Sequence, residues 1–403
     1  MLIYLVNFSY GNNYGALLQA YALQEAVKKI NDGFDVCTVG HISKKTSLLT
    51  KCRRYVLLLL TSSWYRKKFI LKLIDMKSFC NNQKILFPFE KNIQYIFEKT
   101  RKHLITFTEN QCYTLADYRN LPKPDIIICG SDVIWAVEDF SENIEIYFLH
   151  WASPATYRIA YAPSWGRSNI NNLNYFTKKK ISYYLAKFDA VSVREKSGVD
   201  ICASLGRTDA QWVPDPTMLL TAEDWDKIAE SRFNKPYILN YRIPYNKSVE
   251  DTKILSVIEE CYRVPIKKVP DIDSEYVWLS PTEWLGGIRD AEFVVTNSFH
   301  GVVFCIIYNI NFLFTKLVGE HEMLNERIYS LLELFDLLDR IITEDIVSDA
   351  GSIKSLVESP IDWNKVNKKL VSWRQVGIDF LDEALKKANK NKSANIRNSY
   401  VDR

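Results

Sequence analysis

The chain has 403 residues, of which 47% are hydrophobic and 25% charged, and its net charge is +4. These values are ordinary for a globular protein and leave room for two α/β domains. A membrane span is not expected, because no apolar run reaches about 18 residues. A zinc site is not expected either, because the eight cysteines form no CxxC pair and have no zinc-binding spacing.

The amino-terminal segment MLIYLVNFSYGNN has no basic residue before its apolar stretch, so it predicts a strand at Ile3–Phe8 and not a secretion signal. The loop Gly11-Asn-Asn-Tyr-Gly15 follows and opens an amphipathic helix. A helix N-terminus can hold an anion, which makes Gly11, Asn13 and Gly15 candidate substrate-binding residues. A plain tight turn is the alternative.

The segment 42–91 follows a second predicted strand, Phe34–Val39, and carries a net charge of +10 from twelve basic and two acidic residues. Bulky apolar residues, including VLLLL at 56–60, are interleaved with the lysines and arginines. We therefore predict a helical basic insertion at about 42–104. It either lies on anionic lipid or covers a core with a solvated basic face. Nucleic acid is not expected, because no recognised binding motif accompanies the charge.

Short β-rich runs alternate with helical patterns throughout the chain, which predicts parallel sheets wound with helices. Two prolines in Trp212-Val-Pro-Asp-Pro-Thr217 break both helix and strand, so we place a domain boundary just after this segment. The predicted units are a first α/β domain at 1–220, a second at 221–358, a helix at 359–390 and a disordered tail at 391–403. The other predicted strands are Asp125–Cys129, Arg158–Ala162, Ala190–Val193, Tyr237–Tyr241, Pro265–Val269, Phe293–Thr296 and Phe312–Phe314.

Polar clusters directly follow four of the predicted strands, two of which are DIIIC before Gly130-Ser-Asp132 and EFVVT before Asn297-Ser-Phe-His-Gly301. Ligands of open parallel sheets bind outside the carboxyl ends of the strands. The clusters fall in both halves of the chain. We therefore predict two domains that face each other across a cleft.

In the first half, the cluster Gly130-Ser-Asp132 offers Asp132 as a general base for a hydroxyl group and Ser131 as a binding residue. Either side chain would also suit the cap of a following helix. Arg194 ends the strand AVSV, and its guanidinium can grip a carboxylate or phosphate with two hydrogen bonds. An ion pair with Glu195 or with another acidic residue at the surface is the alternative.

His300 is the strongest candidate for a catalytic residue in the second half, because it lies among small residues at a strand-to-helix turn. Its unperturbed pKa of about 6.5 allows proton transfer near neutral pH. Asn297, Ser298 and Gly301 share the turn and are candidate binding residues. A structural histidine is the alternative, and no motif indicates a metal or a cofactor.

Five short motifs carry a resemblance to a known family. They are GNNYGALLQAYAL at 11–23, GSDVIW at 130–135, VSVREKSG at 191–198, VPDPT at 213–217 and TNSFHG at 296–301. In this order the chain resembles the polysaccharide pyruvyl transferases, from its first residues to about residue 340. The basic insertion and the carboxyl-terminal tail lie outside the resemblance.

The resemblance implies two Rossmann-like domains of the GT-B type, with the acceptor on the first and the donor on the second. It implies that phosphoenolpyruvate gives its three-carbon unit to two hydroxyls of one sugar, as a cyclic ketal, during assembly of a bacterial surface glycan. It places the donor-binding arginine at Arg194 and the histidine at His300. Some members carry a basic residue where this chain has Ser298, so another cation must serve, and Arg327, Arg289 and Lys316 are candidates.

Two other functions stay open at this point. A GT-B glycosyltransferase that uses a nucleotide sugar would share the fold and the cleft. A non-catalytic, membrane-associated protein could use the same scaffold. We expect a cytoplasmic protein, since cysteines in apolar runs indicate a reducing compartment, and a lipid-linked acceptor would give the basic insertion a purpose at the inner face of the plasma membrane.

Overall fold

The computed structural model describes residues 1–41, 92–138, 143–243, 248–249, 251–270 and 278–401, with backbone alone at 320 and 393–401. The predicted insertion therefore lies outside the described residues, apart from a helix at 92–104. The described residues build two parallel sheets, one from each half of the chain. This confirms the α/β fold class with two parallel units.

The first sheet has seven strands in the order β3-β2-β1-β4-β5-β6-β7. This is the strand order of doubly wound nucleotide-binding folds, in which the chain reverses direction across the sheet between β1 and β4. Apolar β-branched residues fill the central strands because both faces are covered by helices. The strands are β1 (Leu2–Val6), β2 (Asp35–His41), β3 (Phe107–Cys112), β4 (Ile126–Cys129), β5 (Tyr157–Ala160), β6 (Ala190–Val193) and β7 (Gln211–Trp212).

The helices of this first unit lie between its strands. Asn13 caps the first of them by accepting a hydrogen bond from the backbone of Ala16 at 3.1 Å. In chain order they are α1 (Tyr14–Ile30), α2 (92–104), α3 (Leu115–Asn120), α4 (Asn143–Tyr147), α5 (Tyr175–Leu185) and α6 (Lys196–Ser204).

The second sheet has five strands in the order β12-β11-β10-β8-β9, which reverses direction between β8 and β10. Its strands are β8 (Ile238–Tyr241), β9 (Ile266–Val269), β10 (Phe293–Thr296), β11 (Asn311–Thr315) and β12 (Ile341–Ile342). The helices are α7 (Ala222–Asp226), α8 (Thr252–Tyr262), α9 (Pro281–Arg289), α10 (Phe299–Tyr308), α11 (Glu326–Phe335), α12 (Glu344–Ser348) and α13 (Ala350–Glu358).

Capping boxes begin α7 and α9: the side chains of Thr221 and Ser280 accept from the backbone of Asp224 and Glu283, whose carboxylates accept in return from the backbone of the two cap residues. The nine predicted strands are all present within two residues at either end. The sequence missed β3, whose exposed middle residues are polar, and the two-residue strands β7 and β12. The first sheet ends before the predicted boundary and the second begins after it.

The last helix, α14 (Trp363–Val401), connects both units. Val366 and Leu370 pack into the core of the second sheet, whereas Leu381 and Leu385 pack beneath β1 and β4 of the first. The helix continues to Val401, so the disordered tail predicted at 391–403 is helical as far as it is described. The polar composition of 391–401 gave no apolar period from which sequence could extend the helix.

Tyr14, at the start of α1, crosses from the first unit to the second. Its ring stacks on Trp284 with centroids 5.1 Å apart, and its hydroxyl donates to the carbonyl of Leu279 at 3.0 Å. On the other side Phe97 of α2 lies 4.9 Å from the same ring. The two units are therefore packed together at the point where the Gly11–Gly15 loop enters α1.

Candidate active site between the two sheets

Three of the four predicted clusters lie at the direction-reversal points of the two sheets, and the fourth, Arg194-Glu195, follows β6 of the first sheet. Gly11–Gly15 follows β1 and Gly130–Asp132 follows β4, which are neighbouring strands of the first sheet. Asn297–Gly301 follows β10, next to β8 in the second sheet. Crevices form at such positions because the flanking loops diverge to opposite faces of the sheet. The two crevices face each other.

Asp215 is the residue at which the two units meet. Its carboxylate is fully buried, and Oδ2 accepts a hydrogen bond from Nη1 of Arg194 at 2.7 Å. Nε2 of His300 lies 3.5 Å from the same oxygen. Burial alone would raise the pKa of Asp215, but His300 and Arg194 lower it below its usual range. Asp215 is thus held as a carboxylate between a guanidinium and an imidazole.

The position of Asp215 follows from the segment after β7. The prolines at 214 and 216 prevent a continued strand or an α-helix, and Asp215 instead caps a short 3₁₀ helix at Pro216–Leu219. Its Oδ1 accepts hydrogen bonds from the backbone and hydroxyl of Thr217, at 3.0 and 2.7 Å. Sequence reasoning treated this segment as a boundary and missed Asp215. The signal was a carboxylate in a proline-flanked turn after a strand.

Arg194 contacts two carboxylates and one aromatic ring. Besides Asp215, its Nη2 lies 3.4 Å from Oδ1 of Asp132, and its guanidinium lies 4.6 Å from the ring centre of Phe299. The ion pair with Glu195 considered from the sequence does not form. Glu195 instead accepts hydrogen bonds from Ser164 and from the backbone of Trp165.

Asp132 and Ser131 lie in a turn and not at a helix N-terminus. Oδ1 of Asp132 accepts from the backbone of Val133 at 2.8 Å, and its side chain is 12% exposed, against 0% for that of Asp215. Ser131 donates to the carbonyl of Ala162 at 2.6 Å. The alternative that either residue caps a helix is therefore wrong, and Asp132 is the more accessible of the two aspartates.

His300, in the first turn of α10, packs directly against Gly15 of the first unit. A Cβ atom at position 15 would lie 2.0 Å from Nδ1 of His300, so only glycine fits there. His300 is 6% exposed. The loop after β1 and the turn after β10 are thus in contact, as the sequence predicted for a shared cleft. The anion between Arg194 and His300 is the side chain of Asp215.

Arg327 of α11 lies beside this cluster. Its guanidinium is 5.4 Å from the ring centre of Phe299, the same ring that Arg194 contacts. Burial, together with the nearby charge of Arg194, lowers the pKa of Arg327 to about 10. The Nε atoms of both Arg194 and Arg327 are buried without a hydrogen-bond partner among the described residues. A cavity is lined by both arginines, Asp215 and Phe299, with Trp212, Val213, Pro214, Leu331 and Trp373 completing its wall.

The remaining candidates of the second unit have structural contacts. Asn297 accepts a hydrogen bond from the backbone of Ile243 at 2.7 Å and so ties the loop after β8 to the turn after β10. Ser298 caps α10 through the backbone of Gly301. A Cβ atom at Gly301 would lie 2.7 Å from Oγ1 of Thr296. These residues shape the turn that presents His300.

In the first unit, Gly11 and Asn13 also hold backbone in place. The carbonyls of Ser9 and Gly11 accept hydrogen bonds from the buried guanidinium of Arg101, at 2.7 and 3.3 Å. Asn13 uses its side chain to cap α1. The loop thus presents Gly15 to His300.

Two other basic residues considered for the position of Ser298 are already paired. Arg289 bonds to Asp290 and Asp226, and Lys316 bonds to Glu322 at 3.2 Å. Only Arg327 among the three contacts the site. Across the described ranges, no group of three or more His, Cys, Asp or Glu residues is arranged to hold a metal ion.

Comparison with known proteins gives one family. Residues 13–315 match the model described as polysaccharide pyruvyl transferase, which spans the site from Asn13 to Thr315. A search of curated proteins found no match.

Solved structures with a similar chain path include a putative UDP-N-acetylglucosamine 2-epimerase from Listeria monocytogenes, with 10% identity, 97% of this chain and 96% of that chain covered, and a TM-score of 0.49. A Methanocaldococcus jannaschii UDP-GlcNAc 2-epimerase is 11% identical, with 92% and 98% covered and a TM-score of 0.44. A Polygonum tinctorium UDP-glucosyltransferase is 9% identical, with 97% and 98% covered and a TM-score of 0.44.

Proposed function

The chain belongs to the polysaccharide pyruvyl transferase family, and from this premise we propose that it transfers the pyruvyl unit of phosphoenolpyruvate to two hydroxyls of one glycan sugar. The product is a cyclic ketal, and phosphate is released. We place the reaction in bacterial surface polysaccharide biosynthesis, on the cytoplasmic side of the membrane.

One observation carries the choice of an anionic donor. Arg194 and Arg327 line the same small cavity, about 10 Å³ in volume, and the buried Arg327 makes no ion pair with a carboxylate in the described part of the chain. An unsatisfied buried donor costs about 1–3 kcal/mol, and a charged one more. Phosphoenolpyruvate has a carboxylate and a phosphate, and planar guanidinium groups match both. In this proposal Arg327 supplies the cation that Ser298 does not.

The remaining roles follow from position. His300 protonates the methylene carbon of the donor, or its leaving phosphate, and Asp215, 3.5 Å from Nε2, fixes the orientation of the imidazole. Asp132 accepts the proton of an attacking sugar hydroxyl. Two C–O bonds to the central carbon form and the C–O bond to phosphate breaks. One hydroxyl proton ends on the methyl carbon and the other on phosphate.

The direct test combines phosphoenolpyruvate with candidate glycan acceptors, lipid-linked and free, and follows phosphate release and the acceptor mass. We expect release only when an acceptor is present, together with an acceptor carrying the ketal. Release of a nucleoside diphosphate from a nucleotide sugar would instead favour the glycosyltransferase. Failure to bind phosphoenolpyruvate at all would favour a non-catalytic scaffold.

Substitution of His300 tests the assignment of the proton donor. We expect His300→Ala to lower turnover about 10²–10⁴-fold, the usual contribution of a positioned acid or base. His103→Ala, which changes an exposed histidine of α2, is the matched control and should leave turnover unchanged. Circular dichroism confirms that both variants fold. Full phosphate release by the folded His300→Ala variant contradicts the assignment.

Arg327 can be tested separately. We expect Arg327→Ala to raise KM for phosphoenolpyruvate about 10–100-fold, because a hydrogen bond to a charged group contributes about 1.5–3 kcal/mol. Arg289→Ala is the control, since Arg289 is paired with Asp290 and Asp226 away from the cavity. Steady-state kinetics at saturating acceptor measure both, and an unchanged KM for Arg327→Ala would refute the role.

A further inference from the structure

Helix α5 exposes aromatic rings that the site does not use. Tyr175, Phe176 and Tyr183 are 64%, 76% and 60% exposed. Thr177, Ile181, Tyr184 and Leu185 are buried against the first unit, so the helix has one face inward and one outward. At 3.6 residues per turn, the three exposed rings fall on the outward face. Isolated exposed apolar residues are common, but three large rings on one short helix need a reason.

Lysines flank these rings on both sides of the face. Residues 174–188 contain Lys178, Lys179, Lys180 and Lys187 and no acidic residue. Lys180 pairs with Glu145 of α4 at 2.7 Å. The other three lysines make no ion pair with a carboxylate in the described part of the chain. The face therefore combines an aromatic centre with unpaired positive charge.

We propose that the outward face of α5 docks the enzyme on an anionic lipid surface. Aromatic rings lie at the level of lipid headgroups, and lysines close to the surface are attracted electrostatically to anionic lipid. The proposal is independent of the activity proposed above, and of residues 42–91, which lie outside the described residues.

The position of α5 suits this role. The helix begins on the chain that leaves the carboxyl end of β5, which is the edge of the first sheet that carries the site. Tyr175 and Phe176 are its first two residues, so they lie toward that edge. Docking through these residues would place the edge of the sheet that carries the site close to the lipid surface. None of the helices in the described residues is long and apolar enough to cross a bilayer.

Two other partners fit the face less well. A second copy of the chain would bring the lysines of one α5 against those of the other, which like-charge repulsion opposes. A glycan would stack on open ring faces. Lys179 lies 5.3 Å from the ring centre of Tyr175, and Lys187 lies 4.1 Å from that of Tyr183, so one face of each ring is already covered.

Flotation of the full chain with vesicles tests the proposal. The probes are vesicles of pure phosphatidylcholine and vesicles with about 30% phosphatidylglycerol, on which an anionic surface potential forms. We expect binding to the anionic vesicles alone, and its loss at high salt. The double variant K178Q/K179Q should bind roughly 25-fold more weakly, at about fivefold per lysine. Y175S/F176S should also weaken binding while removing no charge.

Matched controls change the same chemistry elsewhere. K386Q/K387Q removes two lysines of α14 that are 69% exposed, and V371S removes an exposed apolar side chain of the same helix. Both should bind like the parent protein. Absence of binding to anionic vesicles, or α5 variants that bind like the parent, would overturn the proposal.

Two further measurements identify a wrong partner. If the α5 variants keep vesicle binding but lose binding to polygalacturonate, the face binds anionic glycan. If they keep vesicle binding but lose self-association in sedimentation velocity, the face binds a second copy. Either result also overturns the proposal.

Discussion

The Asp215 carboxylate faces two groups that can carry positive charge, and it is the buried counter-ion that allows both to share one small volume. Arg194 donates to it at 2.7 Å and Nε2 of His300 lies 3.5 Å away. Removing one partner from a buried charge pair costs about 3–5 kcal/mol, because the other charge remains in the interior. The consequence can be measured without any substrate.

We expect Asp215→Asn to lower the free energy of unfolding by about 3–5 kcal/mol at neutral pH. The pKa of Asp215 is lower in the folded protein than its unfolded value of about 3.9. A depressed pKa gives stability that is present above pH ~4 and is lost as the pH falls through the folded-state value. Below about pH 4 the parent protein should therefore lose stability more steeply than the variant.

Urea unfolding at a series of pH values from neutral to acid makes this measurement. Asp200→Asn, an exposed aspartate of α6, is the control and should follow the parent curve. Parallel pH curves for the parent and Asp215→Asn would contradict the electrostatic role of Asp215.

The sequence indicated some residues of the candidate site and not others, for identifiable reasons. Arg194 and His300 end strands or open helices, where a polar residue interrupts an apolar run and is easy to see. Asp215 follows a strand of only two residues, which has too short a pattern to detect. Asn297 and Ser298 are residue types that can also bind a substrate. In the structure their side chains accept hydrogen bonds from the backbone of Ile243 and Gly301, which the sequence does not reveal.

At the scale of the elements, the packing of α14 on the first unit depends on a glycine. Gly377 lies where the helix passes from the second unit to the first. A Cβ atom there would lie 2.5 Å from the hydroxyl of Tyr161, 2.6 Å from Pro214 and 2.7 Å from Leu219. Real Cβ atoms do not approach other atoms this closely, so the helix would have to move away from the first sheet.

We expect Gly377→Ala to lower the Tm and the free energy of unfolding by about 1–3 kcal/mol, the usual cost of overpacking. Gly351→Ala is the matched control. It is also a helical glycine, but its Cβ atom would have no neighbour nearer than 3.5 Å, and alanine should stabilise that helix by up to about 1 kcal/mol. Thermal unfolding measures both, and a Gly377→Ala variant as stable as the parent would show that α14 packs more loosely.

The elements divide in the same way into those that sequence could predict and those it could not. The central strands are apolar runs, and their predicted bounds agree with the structure to within two residues. The apolar period after the Gly11–Gly15 loop predicted that a helix begins there, and α1 does. β3 lies at the edge of its sheet, and its exposed middle, Glu109 to Gln111, has no apolar alternation. The final turns of α14 are polar on all sides, so composition indicated disorder where the structure has helix.

At the scale of the whole molecule, the two units share a buried interface. Tyr14 contacts Trp284 and Leu279 of the second unit, and Gly15 contacts His300. Sequence could predict that two parallel sheets face each other, because the polar clusters follow strands in both halves. It could not predict how closely they approach, since that depends on side-chain packing between residues about 270 positions apart.

We expect the parent protein to unfold in one calorimetric transition, because the interface couples the two units. Tyr14→Ala should cost about 3–5 kcal/mol, as large aromatic truncations do, and should separate the melting of the two units. Phe148→Ala is the control. It removes a ring that stacks on Trp135 within the first unit, and should lower the Tm without splitting the transition. A single transition in Tyr14→Ala would show that other contacts couple the units.

The burial of His300 and the course of α14 together restrict how a bulky acceptor can arrive. The His300 imidazole is 6% exposed and the Asp132 side chain 12%, so in the proposed reaction the donor and the sugar reach them only after neighbouring parts of the site move. Because α14 packs on both units, a wide separation of the units has to bend this helix or release it from one of them. The last helix would therefore limit how far the two units separate when an acceptor enters.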